Sequence, residues 1–145
     1  MLLLTHLVFF GLLSFVLNIK VSALGFIFSY LPDIDNPKSM IGQLFPKFSS
    51  YLFEHFGHRG LTHSITPLIA LTLASLYNAN FLELLLAYFS HLFLDSLNSF
   101  GIMLLYPNNS RFVLFNLGIK VGSYKEFLFS LALVGLASAY AYIKR

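Results

Sequence analysis

The sequence predicts an all-α membrane protein: a bundle of about five transmembrane helices with an interfacial helix and a small capping hairpin. Three observations lead there. Of 145 residues, 57% are hydrophobic and only 10% are charged. The mean hydropathy is +0.76 and the apolar residues fall in long uncharged runs, a pattern for which the bilayer rather than water is the solvent. The polar residues, in turn, concentrate in a few short stretches beside those runs. The length fits one domain, residues 1–145, without internal repeat, low-complexity segment or linker. Having no cysteine, the chain can form neither disulfides nor thiolate metal sites. A net charge of +3 and a pI near 9.2 superficially resemble a nucleic-acid signature. Nine basic residues distributed through loops read instead as membrane-topology charges, and no nucleic-acid partner is expected.

In chain order, the first apolar segment covers residues 2–17. It ends near a small-x-small "VSA", as a cleaved signal would, but lacks a basic leading region, so it reads as a retained helix. A short second segment, 21–31, is stopped by Pro32. The third and fourth cover 64–77 and 81–99, and a fifth runs 124–143. A full span needs roughly 20 residues, which leaves the second and third short. Between the second and third, "MIGQLFPKFSSYLFEHF" sets Ile41, Leu44, Phe45, Phe48, Leu52 and Phe56 at helical spacing, an interfacial helix bent at Pro46. After Gly101, "IMLLYPNNSRFVLF" has the turn-rich centre and β-favouring flanks of a hairpin. If all five segments cross, one side carries Lys38, Lys47, Arg59, Arg111, Lys120 and Lys125, and the other Lys20, Lys144 and Arg145. That excess assigns the first side to the cytoplasm.

Six carboxylates remain to be explained. Glu83 follows Asn80 by three, and Glu126 follows Ser123 by three, each ahead of an apolar run, as in capping boxes. Glu54 and His55 have a plain solvated reading on the interfacial helix. Asp33 and Asp35 sit in "LPDIDNP", where prolines stiffen the chain on both sides. Read alone, that stretch is a turn; on an extended backbone its two carboxylates project to opposite sides. In "HRGLTHS", His58 and His63 flank Gly60, which lets the backbone fold so that both imidazoles converge, and Thr62 or Ser64 would cap the third helix. Arg59 is either a juxtamembrane charge or a planar cation for an anionic substrate group such as phosphate. The fourth helix carries His91 and Asp95 at i and i+4, with Tyr88 and Asn98 extending that face. An Asp inside a spanning helix costs roughly 2.5–3.5 kcal/mol on insertion scales, so both must face the bundle interior. His6 lies about one turn into the first helix, on the same side.

His6, Asp33, Asp35, His58, His63, His91 and Asp95 thus come from four segments and reach one end of the bundle. Four imidazoles and three carboxylates without thiols suit a divalent metal, Zn²⁺ first and Mn²⁺ or Fe²⁺ next. Such a set can hold one or two ions, with an aspartate bridging a pair. Paired ions activate water at neutral pH and steady the attacking and leaving oxygens of a hydrolysis.

Together, "LPDIDNPKSMIGQ", "FGHRGLTHS" and "YFSHLFLDSLNSFG", with an N-terminal "TH", resemble the YdjM-like family of membrane-bound metal-dependent hydrolases, over Thr5 to Gly101. The resemblance implies a multi-pass enzyme of a prokaryotic cytoplasmic membrane and leaves the substrate open. More distantly, the arrangement is similar to helical zinc-dependent phospholipases C, whose aspartate, histidine and His-x-x-x-Asp ligands would fall on Asp33 or Asp35, His58 or His63, and His91 with Asp95. No histidine follows His91, so a third metal position is not carried over. The expected function is hydrolysis of a phosphoester, possibly of a lipid or lipid-linked substrate. Arg59 and Asp35 are the candidate catalytic residues, with Thr62 and Asn98 in support. A second reading, from another class, is a non-enzymatic membrane protein: a metal carrier or sensor, or a bundle with a structural polar centre.

Overall fold

A computed structural model of the chain describes residues 3–115 and 117–143. Leu2, where the first predicted span begins, and Lys144 and Arg145, two of the topology charges, lie outside the described residues. Among the described residues there are seven α-helices: α1 (Leu3–Val16), α2 (Ala23–Phe28), α3 (Met40–Leu44), α4 (Pro46–Phe56), α5 (Ile65–Tyr77), α6 (Phe81–Ser96) and α7 (Tyr124–Ile143). Two 3₁₀ turns, Leu31–Asp35 and Leu61–His63, carry Asp33, Asp35 and His63. α6 is the central post, against which α1, α2 and α5 pack, while α7 packs on α1.

Helix length departs from the five-span expectation. At about 1.5 Å per residue, the 20 residues of α7 reach the roughly 30 Å of a hydrocarbon core, and its mean hydropathy is 1.6. Among the described residues this is the one helix long and apolar enough to cross by itself. α1 and α5, with 14 and 13 residues, are apolar but shorter. The second predicted segment forms only the six residues of α2 before Pro32 turns the chain into a 3₁₀ turn, about 9 Å of helix.

The distribution of polarity is inside-out. Among the described residues, the 17 buried polar or charged ones outnumber the 11 buried hydrophobic ones, while Leu73, Leu76, Leu131 and Leu136 stand open on α5 and α7. In water this arrangement would expose far more apolar surface than a soluble monomer tolerates.

The expected interfacial helix is two helices that meet at Pro46, the first residue of α4. A proline fits a first-turn position, where its missing N–H costs nothing. Leu52 is buried there, whereas Leu44, Phe45 and Phe48 face outward. Ser64 caps α5, its Oγ accepting from the Thr66 amide. Glu126 accepts from the Gly122 amide, one residue before the expected partner, while Ser123 Oγ accepts from the Glu126 amide. The Asn80–Glu83 box does not form. The Asn80 side chain makes no cap, and Glu83 instead accepts from the Ser22 amide at 2.6 Å and from its hydroxyl, tying α6 to the start of α2.

The capping hairpin is reduced to one antiparallel bridge, Ile102 with Phe112, and no strand occurs among the described residues. Its flanks bond elsewhere: Met103 N–H to Arg59 O, Ile65 N–H to Leu104 O, and Leu114 N–H to Ser96 O. With their backbone groups committed to α5, α6 and the Arg59 turn, a ladder cannot propagate. The segment therefore straps one end of the bundle.

Candidate metal centre

The two aspartates of "LPDIDNP" lie on a 3₁₀ turn rather than on extended backbone, yet they still separate. Asp33 turns toward His63 and His91, whereas Asp35 turns toward His58, Arg59 and Thr62. The "HRGLTHS" turn approaches from the other side. Here the left-handed residue is Arg59 (φ 64°), not Gly60. Gly60 is needed for room, because a Cβ there would lie 1.9 Å from the Phe56 carbonyl oxygen. α6 then presents His91 and Asp95 one turn apart, both fully buried.

Four donors converge. His63 Nε2 and His91 Nε2 are 3.3 Å apart. Asp95 Oδ2 lies 3.4 Å from the first and 3.8 Å from the second, and Asp33 Oδ1 lies 3.6 Å and 3.7 Å from them. A tetrahedron with metal–ligand bonds of about 2.0–2.2 Å has edges of about 3.3–3.6 Å, and these separations lie within about 0.2 Å of that range, close to the donor shell of a single small divalent ion. The group Asp33, His63, His91 and Asp95 can hold a metal, and so can a second group, Asp33, Asp35 and His58, which shares Asp33. Asp33 is therefore common to both donor groups.

Tautomers support the same reading. His91 Nδ1 lies 2.9 Å from the Ser29 carbonyl, an acceptor only, so Nδ1 carries the proton and Nε2 the lone pair. His63 Nδ1 faces Asp35 Oδ2 at 3.2 Å and His58 Nδ1 faces Asp35 Oδ1 at 2.7 Å. Asp35 Oδ2 also accepts from the Arg59 amide at 2.9 Å and from the Thr62 hydroxyl. Asp35 therefore orients two imidazoles through their far nitrogens, the arrangement that fixes metal-ligating histidines elsewhere. Burial alone would raise its pKa, but the hydrogen bonds to His58 and His63 outweigh that and hold the carboxylate below its ordinary range. For Asp33 the burial effect is likewise overcome, by His91 and His63. His63 is shifted the other way: burial would lower its pKa, but Asp33, Asp35 and Asp95 raise it well above the usual value.

Charge completes the fit test. Asp33, Asp35 and Asp95 are three buried carboxylates facing one buried guanidinium, Arg59, whose Nη2 pairs with Asp95 Oδ2 at 2.8 Å. So many buried carboxylates gathered around imidazoles make a donor set that suits a divalent cation.

The remaining sequence candidates take specific places. His6 is buried and stacks on His91, with ring centroids 3.9 Å apart and planes 8° apart. Its Nε2 is 3.7 Å from Asp95 Oδ1, and neither ring nitrogen has a hydrogen-bond partner among the described residues. It backs the four-donor group without joining it. Asn98 holds the turn after α6 by accepting from the Phe100 amide. Tyr88 donates to the Thr62 carbonyl at 2.6 Å, fixing the histidine turn against α6. Arg59 is engaged on three sides, by Asp95, by the Gly101 carbonyl and through its own amide by Asp35. The Ser29 carbonyl, which sets the His91 tautomer, has no side-chain signal by which a sequence could announce it.

Comparisons with known proteins place the sequence in a family. The model of the family described as YdjM inner membrane protein matches residues 1–145. The chain is similar to the inner membrane protein YdjM of Escherichia coli strain K12, at 41% identity over 92 residues, covering 57% of this chain and 46% of that protein. It is also similar to the uncharacterized protein YvsG of Bacillus subtilis strain 168, at 37% identity over 128 residues, 86% of this chain and 78% of that one. The chain thus spans about half the length of the enterobacterial relative it matches. No solved structure matches. With its whole length matched by the family model, the chain belongs to the YdjM inner membrane protein family.

Proposed function

We propose that the chain is a multi-pass membrane hydrolase that uses one or two divalent ions, Zn²⁺ foremost, to cleave a phosphoester, of a lipid or a lipid-linked molecule, at the cytoplasmic face. The observation that carries the proposal is the buried cluster of Asp33, His63, His91 and Asp95, whose donor atoms converge on one point between α6 and the two 3₁₀ turns. Asp33 sits where it can serve both donor groups. A bound divalent ion supplies Lewis acidity and water activation at neutral pH. The chain's own residues do the rest. Asp35 keeps His58 and His63 in register, Arg59 steadies Asp95 and brings positive charge to the rim, and Tyr88 and Thr62 lock the turn. The short helices α1 and α5 cross tilted beside α6, with the polar centre thinning the barrier locally. The exposed Leu44, Phe45 and Phe48 of α3 and α4 lie in the interface.

The test is elemental mass spectrometry on protein purified in mild detergent without added metal, beside His91→Ala and Asp95→Ala variants. About one to two equivalents of a divalent metal are expected, lost in both variants, together with metal-dependent turnover of a phosphoester substrate. Absence of metal in the folded wild type would end the hydrolase reading and leave a structural polar centre. Metal without turnover of any phosphoester would leave a carrier or sensor.

A further inference from the structure

Two successive carbonyls in the turn after α6 each hold a guanidinium. The Phe100 carbonyl accepts from Arg111 Nη1 at 3.2 Å and the Gly101 carbonyl accepts from Arg59 Nη1 at 3.2 Å. Gly101 adopts φ 64°, and a Cβ there would lie 2.6 Å from the Phe112 carbonyl oxygen. Only glycine lets the two chain segments approach so closely. The Ile102–Phe112 bridge lies next in sequence to both anchors, so the strap that closes the bundle also sets Arg111.

The result is a cleft of about 320 Å³ lined by His58, Arg59, Phe100, Arg111 and Val121, within the size range of small-ligand sites. Its two arginines differ. Arg59 is neutralised by Asp95, whereas Arg111 has no carboxylate within ion-pair distance among the described residues. One hydrogen bond to a carbonyl leaves most of the Arg111 donor fork open, and that fork matches the oxygens of phosphate. The cleft meets the metal-capable cluster at His58, whose side chain is 34% exposed while those of His63 and Asp95 are fully buried. With Nδ1 held by Asp35, His58 has Nε2 left for a ligand.

We propose that this cleft is an oxyanion site in which Arg111, with Arg59 beside it, receives a phosphate group and holds it at the His58 edge of the Asp33, Asp35 and His58 group. This rests on the phosphoester reading above and names the residue that recognises the substrate.

Calorimetric titration of metal-loaded protein in detergent tests it with two ligands that carry the same phosphate monoester: glycerol 3-phosphate and dihexanoyl phosphatidic acid. Saturable binding is expected in the wild type. Arg111→Gln should weaken it by about tenfold or more, as loss of a charge-assisted pair does, with Arg111→Lys intermediate and metal content equal in all three. Val121→Glu, which sets a carboxylate in the cleft without touching Arg111, should weaken binding to a similar extent. Tighter binding of the lipid identifies a headgroup as the source, and equal binding identifies a soluble phosphate. Wild-type affinity in both Arg111→Gln and Val121→Glu, or no saturable binding by metal-loaded wild type, would overturn the proposal. Failure of the hydrolase reading looks different: phosphate binding that still depends on Arg111, in a protein that takes up no metal or turns over no ester.

Discussion

At the scale of single residues, Asp33 and Asp35 illustrate how two neighbouring carboxylates acquire different roles. Asp35 has both oxygens occupied by four donors, whereas Asp33 faces the inward nitrogens of His63 and His91. Asp35→Asn replaces one acceptor with a donor that faces other donors. It should lower metal affinity by about 10–100-fold, the usual consequence of losing an outer-shell partner, while stoichiometry is kept; Asp33→Asn should remove bound metal altogether. Chelator competition separates the two, and equal losses would mean that Asp35 binds metal itself. His63 adds a pH dependence. Three carboxylates favour its protonated form, and a metal must displace that proton, so affinity should fall as pH is lowered from about 8 to about 6. A flat profile in the same competition assay would remove His63 from the ligand set.

At the scale of elements, α6 dictates the site, because it supplies two buried donors one turn apart and is the helix on which α1, α2 and α5 converge. The strap across its end depends on Gly101. Gly101→Ala meets both a left-handed φ and the Phe112 carbonyl, and should destabilise the folded protein by about 1–3 kcal/mol, read as a lower melting temperature in detergent. If the strap also places Arg111, the same variant should bind phosphate more weakly at unchanged metal content. The link between Glu83 and Ser22 belongs to this scale too. A capping signature on one helix is satisfied by the start of another, which fixes α2 and with it the Ser29 carbonyl that sets His91.

For the whole molecule, polar residues hold the interior and apolar ones face outward, so stability should depend on keeping the charged centre neutral. Removal of metal by a chelator should lower the melting temperature by several degrees, and restoring Zn²⁺ should recover it, as ligand linkage requires. An unchanged melting curve would show that the polar centre is stable without metal. Orientation is open to direct measurement because the chain has no cysteine. Lys38 and Ala79 are both exposed, one in the loop that follows the Asp33–Asp35 turn and the other in the tight turn between α5 and α6. With a membrane-impermeant thiol reagent on intact cells, Ala79→Cys should be labelled and Lys38→Cys protected until the cells are permeabilised. The reverse pattern would put the site on the outer face.

Much of this was legible in one dimension. Charge is so costly among apolar runs that His63, His91 and Asp95 had to face inward and share a centre, and the spacing of His91 and Asp95 set both on one helical face. Helix periodicity and Pro46 likewise marked α3 and α4. What the sequence left open depended on partners remote along the chain. Whether Glu83 caps its own helix or reaches Ser22, whether 102–112 pairs as a ladder or straps the bundle, and whether Arg59 is free or held by Asp95 are all choices between local and distant hydrogen-bond partners. Local pattern cannot rank those, because each backbone or charged group bonds wherever packing brings an acceptor. The division of labour between Asp33 and Asp35, two residues apart, was decided only when the "HRGLTHS" turn folded over one and α6 came up against the other.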